Sequence, residues 1–133
     1  MTDAYIGINN QASSNIDTLT AEHVDYEVVR NSGYLNLSGG IFTDVAGGVW
    51  STGTTTVDTV TMTQVGTGLR SSSGSLSATG IGFFQTTVAI ASQEGASTSV
   101  SSITGEDVAL FIDAANSDDL TVSNAAISGH RFL

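Results

Sequence analysis

The sequence contains no cysteine, no proline and no lysine, and its 133 residues include only three arginines. Without cysteine there are no disulfides, no thiolate metal ligands and no cysteine nucleophile. Without proline, the turns must be built from Gly, Asn, Asp and Ser. Only 12% of the residues are charged. Long exposed helices are therefore not expected, because they are usually rich in Lys, Glu, Gln and Arg.

The few charges are strongly unbalanced, since thirteen acidic residues leave a formal net charge of −10. Proteins that bind nucleic acid neutralise its phosphates with clustered Lys and Arg side chains. Here Arg30, Arg70 and Arg131 are scattered along the sequence instead. We therefore predict that the chain binds neither nucleic acid nor an anionic membrane surface.

Short β-like runs separated by regular turn signals make up most of the sequence. The turns are rich in Gly, Asn and Ser and recur about every eight to twelve residues, as in β-sandwiches and barrels. Apolar and polar residues alternate at period two, as in Val57–Val65 and Val108–Asp113. We detect no internal repeat. These features predict an all-β fold, a jelly-roll or Greek-key β-sandwich of about eight strands over residues 23–133, preceded by a short N-terminal arm over residues 1–22.

Three segments of the C-terminal half share a pattern in which glycine lies close to apolar residues: Leu76–Phe84, Ile103–Leu110 and Ser128–Leu133. Together they resemble the trimeric jelly-roll domains of the C1q/tumour-necrosis-factor type, which also occur in virus-borne fibres and capsid decorations. The resemblance implies a homotrimer.

Phe83 and Phe111, together with this resemblance, suggest an oligomer. We expect Phe84 and Leu110 to point into the core, and the period-two pattern then places Phe83 and Phe111 on the opposite faces of their strands. A monomeric sandwich does not need apolar residues on both faces. We therefore predict that Phe83 and Phe111 lie in an interface between copies of the chain. The alternative is that loops or the N-terminal arm cover these faces.

Candidate residues for chemistry are few, and we identify no catalytic constellation and no cofactor motif. Asp113, Asn116, Asp118 and Asp119 concentrate oxygen ligands in one predicted loop. Hard cations such as Ca²⁺ prefer oxygen ligands from flexible loops. This loop is thus a candidate Ca²⁺ site, although acidic and Asn-rich loops are also ordinary turn sequences.

The resemblance, together with the lack of a catalytic constellation and of a basic surface, implies a viral structural protein rather than an enzyme. In this hypothesis the chain is a capsid decoration, head-fibre or cement subunit on the exterior of a tailed virus. Its arm docks on the major capsid protein through Tyr5, Ile6, Ile8 and Ile16. The alternative is a receptor-binding tail-fibre tip that recognises a cell-surface glycan, with Trp50 as the aromatic platform for the sugar.

Overall fold

Runs of β-branched and apolar residues, interrupted by Ser, Thr and Gly, form ten β-strands in the structure, a computed structural model that describes residues 2–4, 7–115 and 117–128. These described residues contain no helix. The strands are β1 (Thr2–Ala4), β2 (Ile8–Asn10), β3 (Ser13–Ile16), β4 (Leu19–Asn31), β5 (Tyr34–Ser51), β6 (Thr54–Ser72), β7 (Ser75–Thr79), β8 (Gly82–Gln93), β9 (Ser97–Ala115) and β10 (Asp119–Ser128).

All strand pairings in the described chain are parallel. Each residue pairs with a residue about one coil length further along the sequence, as in Tyr34 with Thr54, Thr54 with Ser75, and Ser75 with Ser97. Parallel neighbours need a long connection, and the chain supplies it by running once around a coil. The described residues therefore form a parallel β-solenoid. Five complete coils, 13–31, 34–51, 54–72, 75–93 and 97–115, lie between partial coils at either end.

Each coil turns at three corners. At two of these corners, equivalent residues of successive coils form a column in the left-handed backbone conformation. Polar residues such as Asn, Asp and His adopt this conformation more readily than bulky apolar ones. The first column is His23, Asp44, Gln64, Gln85 and Asp107; the second is Gly39, Thr59, Gly80, Ser102 and Asn124. The third corner is the turn between successive coils, such as Ser32–Gly33. The coil is thus three-sided, with side chains alternating between interior and surface.

The core is a stack of apolar columns inside the coils. In one column Val24, Val45, Val65 and Val108 are buried, and Thr86 is the equivalent residue of the remaining coil. One coil is too thin to enclose these side chains, so adjacent coils must bury them together.

Large and small residues alternate across this interior. Gly48 lies beside Met62, since a Cβ at Gly48 would be 2.8 Å from the Met62 Sδ. A Cβ at Gly68 would overlap the Phe83 ring. Glycine at these positions therefore makes the space that the large side chains of neighbouring strands fill.

The structure confirms the predicted all-β class but not the jelly-roll or Greek-key sandwich. Sandwiches of that kind are built from antiparallel strands, whereas the strands described here are parallel. The sequence analysis detected no internal repeat, yet successive coils are structurally equivalent and pair in register.

The segment predicted as an arm supplies the first coils of the solenoid. β2 pairs with β4, β3 pairs with β5, and the side chain of Ile16 packs against the core. The predicted boundary between residues 22 and 23 falls within β4. A role of this segment in docking stays a prediction.

Candidate functional site

Three consecutive coils place Arg30, Trp50 and Arg70 side by side on one side of the solenoid. Arg30 is the register partner of Trp50, and Trp50 is the register partner of Arg70. The guanidinium carbons lie 4.8 Å (Arg30) and 5.0 Å (Arg70) from the centre of the indole ring, one arginine on each neighbouring strand. Both distances are within the range of cation–π attraction. The ring is further fixed because its Nε1 donates a hydrogen bond of 3.3 Å to the Ser72 hydroxyl.

A cleft of about 190 Å³ lies next to this stack, and we call it the Trp50 cleft. It is lined by Tyr26, Glu27, Ala46, Gly47, Gly48, Val49, Trp50, Thr67 and Arg70. The small residues of β5 leave the space, while Tyr26, with 47% of its surface exposed, supplies a second aromatic ring.

A β-bulge in β4 places Tyr26 in the cleft. The pairing of β4 with β5 shifts by one residue between Val24 and Glu27, and Tyr26 lies within that shift. Bulges bend a strand and redirect its side chains, and they are common beside functional sites. A regular strand would not have produced this arrangement.

The two arginines of the stack differ in their electrostatic environment. The Arg30 Nη2 donates a hydrogen bond of 3.0 Å to the Glu27 Oε2, and the Glu27 side chain is only 10% exposed. Arg70 forms no ion pair with the described residues. The Nε atoms of both arginines are buried without a hydrogen-bond partner there. The stack thus contains one neutralised arginine, Arg30, and one arginine, Arg70, that lines the cleft without an ion-pair partner among the described residues.

Trp50 was predicted to offer a ring face to a sugar, and the structure contradicts that role. Because the neighbouring strands of a parallel sheet are about 4.8 Å apart, side chains in register lie at stacking distance. Arg30 and Arg70 therefore cover the ring on both sides. Sequence analysis also missed Tyr26 and Arg70. The equal spacing of Arg30, Trp50 and Arg70 along the sequence, one coil length at each step, is the signal that could have revealed the stack.

The predicted Ca²⁺ site is not assembled by the described residues. Asp113 lies within β9, whereas Asp118 immediately precedes β10 and Asp119 is its first residue. Asn116 lies outside the described residues. In the part of the chain that the structure describes, no group of three or more His, Cys, Asp or Glu side chains is placed to hold a metal ion.

The inward and outward faces of β8 differ from the prediction. Phe83 is fully buried, so its assignment to an interface is wrong, while Phe84 is partly exposed. The two assignments were inverted because alternation alone does not say which residue of a pair points inward. Phe111 packs against the core, and an interface role for it stays a prediction.

Exposed large apolar side chains do not form a continuous patch elsewhere on the described surface. They are Tyr26, Tyr34 and Ile41, and each lies on a different side of the solenoid. The homotrimer stays a prediction. Of the proposed docking residues, Ile8 and Ile16 lie in β2 and β3, and Tyr5 and Ile6 lie outside the described residues.

Comparisons with family models, with curated proteins and with solved structures find no significant match to this chain. Within the described residues, no helix has the length and apolar character needed to cross a membrane.

Proposed function

We propose that the chain is a carbohydrate-binding β-solenoid of the receptor-binding kind, which acts by recognition rather than catalysis, and that the Trp50 cleft holds the sugar. The observation that carries this proposal is the composition of the cleft. A half-exposed tyrosine ring lies there with a guanidinium and a carboxylate, beside small residues that leave room for a ligand. Ligand sites typically combine an apolar or aromatic wall with a few polar groups that fix orientation.

In this proposal Tyr26, rather than Trp50, provides the aromatic ring that packs against the sugar. Its ring supplies the apolar wall, and the hydroxyls of the sugar reach the polar groups of Glu27 and Arg70. Trp50 acts on the ligand indirectly, because it holds the Arg70 guanidinium by stacking. The stack also limits the motion of Arg70, and a site that is ordered before binding loses less entropy when the ligand arrives.

Trp50 provides a direct readout of the cleft, since it is the only tryptophan in the chain. We expect its fluorescence to change when the protein is titrated with monosaccharides and short oligosaccharides, and Tyr26→Ala to weaken binding about tenfold. Tyr34→Ala is the matched control: Tyr34 is 49% exposed against 47% for Tyr26 but lies on another side of the solenoid. Equal losses in the two variants, or no saccharide binding by the unmodified chain, would contradict the proposal.

Attachment to the capsid exterior of a virus as a decoration subunit stays a prediction. The resemblance behind it implied a jelly roll, and the described fold is a solenoid, so the fold does not add support. Counting copies on purified particles tests it, because a decoration subunit accompanies the many subunits of the shell, whereas a fibre tip is present at only a few positions.

A further inference from the structure

The described arginines of this acidic chain are concentrated at one place. Arg30 and Arg70 both stack on Trp50, and Arg131 lies outside the described residues. The whole chain carries a formal net charge of −10. A cation that is not paired with a nearby carboxylate is therefore unusual here, and Arg70 is such a cation among the described residues.

Arg70 also has the geometry of an anion-binding group. It lines the Trp50 cleft, and its guanidinium carbon is held 5.0 Å from the centre of the indole ring. A planar guanidinium matches carboxylate and sulfate groups, with which it forms two parallel hydrogen bonds. Arg30 is less suited, since Glu27 already occupies its Nη2.

We propose that the saccharide bound in the Trp50 cleft is acidic, and that Arg70 binds its carboxylate or sulfate group. This inference rests on the proposed function. At about 190 Å³ the cleft is smaller than the roughly 300–1,000 Å³ of sites for drug-sized ligands. It therefore accommodates one sugar unit, with the rest of a longer saccharide outside it.

The test compares monosaccharides that differ in one charged group, so that repulsion by the net negative charge of the chain stays small. Galacturonic acid, a galactose sulfate and galactose are titrated at about 0.15 M salt, where charges further apart than about 8 Å are largely screened. Trp50 fluorescence is the readout. We expect at least one acidic sugar to bind about tenfold or more tightly than galactose, because a charge-assisted bidentate contact is absent from the neutral sugar.

Two variants separate recognition from packing. Arg70→Gln should reduce the ratio of acidic to neutral affinity to about one, and Arg70→Lys, which keeps the charge but not the planar fork, should give an intermediate ratio. Circular dichroism verifies that each variant is folded. A ratio that is unchanged in Arg70→Gln overturns the inference even where the absolute affinities fall, because a purely structural role of Arg70 would affect both sugars alike.

The remaining outcomes distinguish this inference from the proposed function. Equal binding of galactose and both acidic sugars would overturn the inference and leave the proposed function intact. No response to any saccharide would overturn the proposed function and the inference together. A response to free sulfate or acetate equal to that given by the acidic sugars would assign the cleft to small anions and overturn the assignment to a saccharide.

Discussion

Asn31 shows how single side chains connect the coils at the turn corner. Its side chain is fully buried; its Oδ1 accepts a hydrogen bond of 2.8 Å from the Asn10 amide, and its Nδ2 donates one of 2.8 Å to the Thr55 hydroxyl. The partners are 21 residues (Asn10 to Asn31) and 24 residues (Asn31 to Thr55) apart along the chain, slightly more than one coil length, so each bond links successive layers of the stack at this corner. Buried polar groups are costly unless they are paired, and this ladder provides the pairing along the interior of the corner.

Ser71 and Ser92 continue the same corner and offer a matched comparison. They are register partners, and both are fully buried. The Ser92 hydroxyl is hydrogen-bonded to Thr98 at 2.8 Å and to Ser117 at 2.7 Å, whereas the Ser71 hydroxyl has no partner among the described residues. The two hydroxyls therefore share residue type, burial and position but differ in hydrogen bonding.

We expect Ser92→Ala to lower the free energy of unfolding by about 1–3 kcal/mol, because it leaves the hydroxyls of Thr98 and Ser117 without their partner. Ser71→Ala should be neutral or slightly stabilising, since it removes a buried polar group that makes no hydrogen bond. Urea denaturation of both variants measures the difference. Equal losses in the two variants would show that the hydroxyl network does not stabilise this corner.

At the scale of strands, neighbouring elements fit together because a small residue in one strand lies beside a large side chain in the next. The small residue at Gly68 in β6 accepts the ring of Phe83 in β8. Protein interiors are close-packed, so an added methyl group at such a position displaces the neighbouring side chain or strains the backbone. The two positions should therefore be energetically coupled.

We expect Gly68→Ala to destabilise the fold by about 1–3 kcal/mol through overpacking. Combining it with Phe83→Leu, which removes part of the ring volume, should cost less than the sum of the single changes by about 1 kcal/mol. Urea denaturation of the double-mutant cycle gives the coupling. Phe42→Leu is the control for Phe83→Leu, because Phe42 lies two coils away in the same column, and its effect should add to that of Gly68→Ala. Additive effects in both cycles would refute the coupling.

The sequence could predict that the elements are strands, but not how they pair. Period-two alternation in segments such as Val57–Val65 is the same for parallel and antiparallel neighbours. The repeat is hidden because equivalent interior positions are apolar in some coils and hydroxylic in others, as with Leu35, Thr55, Leu76 and Thr98. The length of the repeat also varies slightly from coil to coil, which prevents a fixed period from appearing.

At the scale of the whole molecule, the functional site is a product of stacking. Tyr26, Trp50 and Arg70 belong to three coils, and only their registration brings them to one cleft. Trp50 could be selected from the sequence because it is the only tryptophan, yet its partners could not be selected without the coil length. The β-bulge that places Tyr26 has no clear signal in the sequence.

If the molecule is a stack of equivalent coils, a whole coil should be removable without loss of the fold. Such proteins are quasi-one-dimensional, and their stability is approximately a sum over repeats and their interfaces. Thr54 is the register partner of Ser75, so deletion of residues 54–74 joins Gly53 directly to the residue equivalent to Thr54. The shortened chain keeps four of the five complete coils, and Gly48 then lies next to Phe83, as Gly68 does in the full chain.

We expect this in-phase deletion to fold into a shorter solenoid, with an unchanged β-sheet signal per residue in circular dichroism and a lower thermal midpoint, because one coil and one interface have been removed. Deletion of residues 54–64 is the control. It removes about half a coil and joins Gly53 to Val65, so that the corners and the inward-facing residues of later strands no longer align with those of β5. That variant should lose its cooperative unfolding transition. Comparable behaviour of the two variants would mean that the coil is not the repeating unit of this fold.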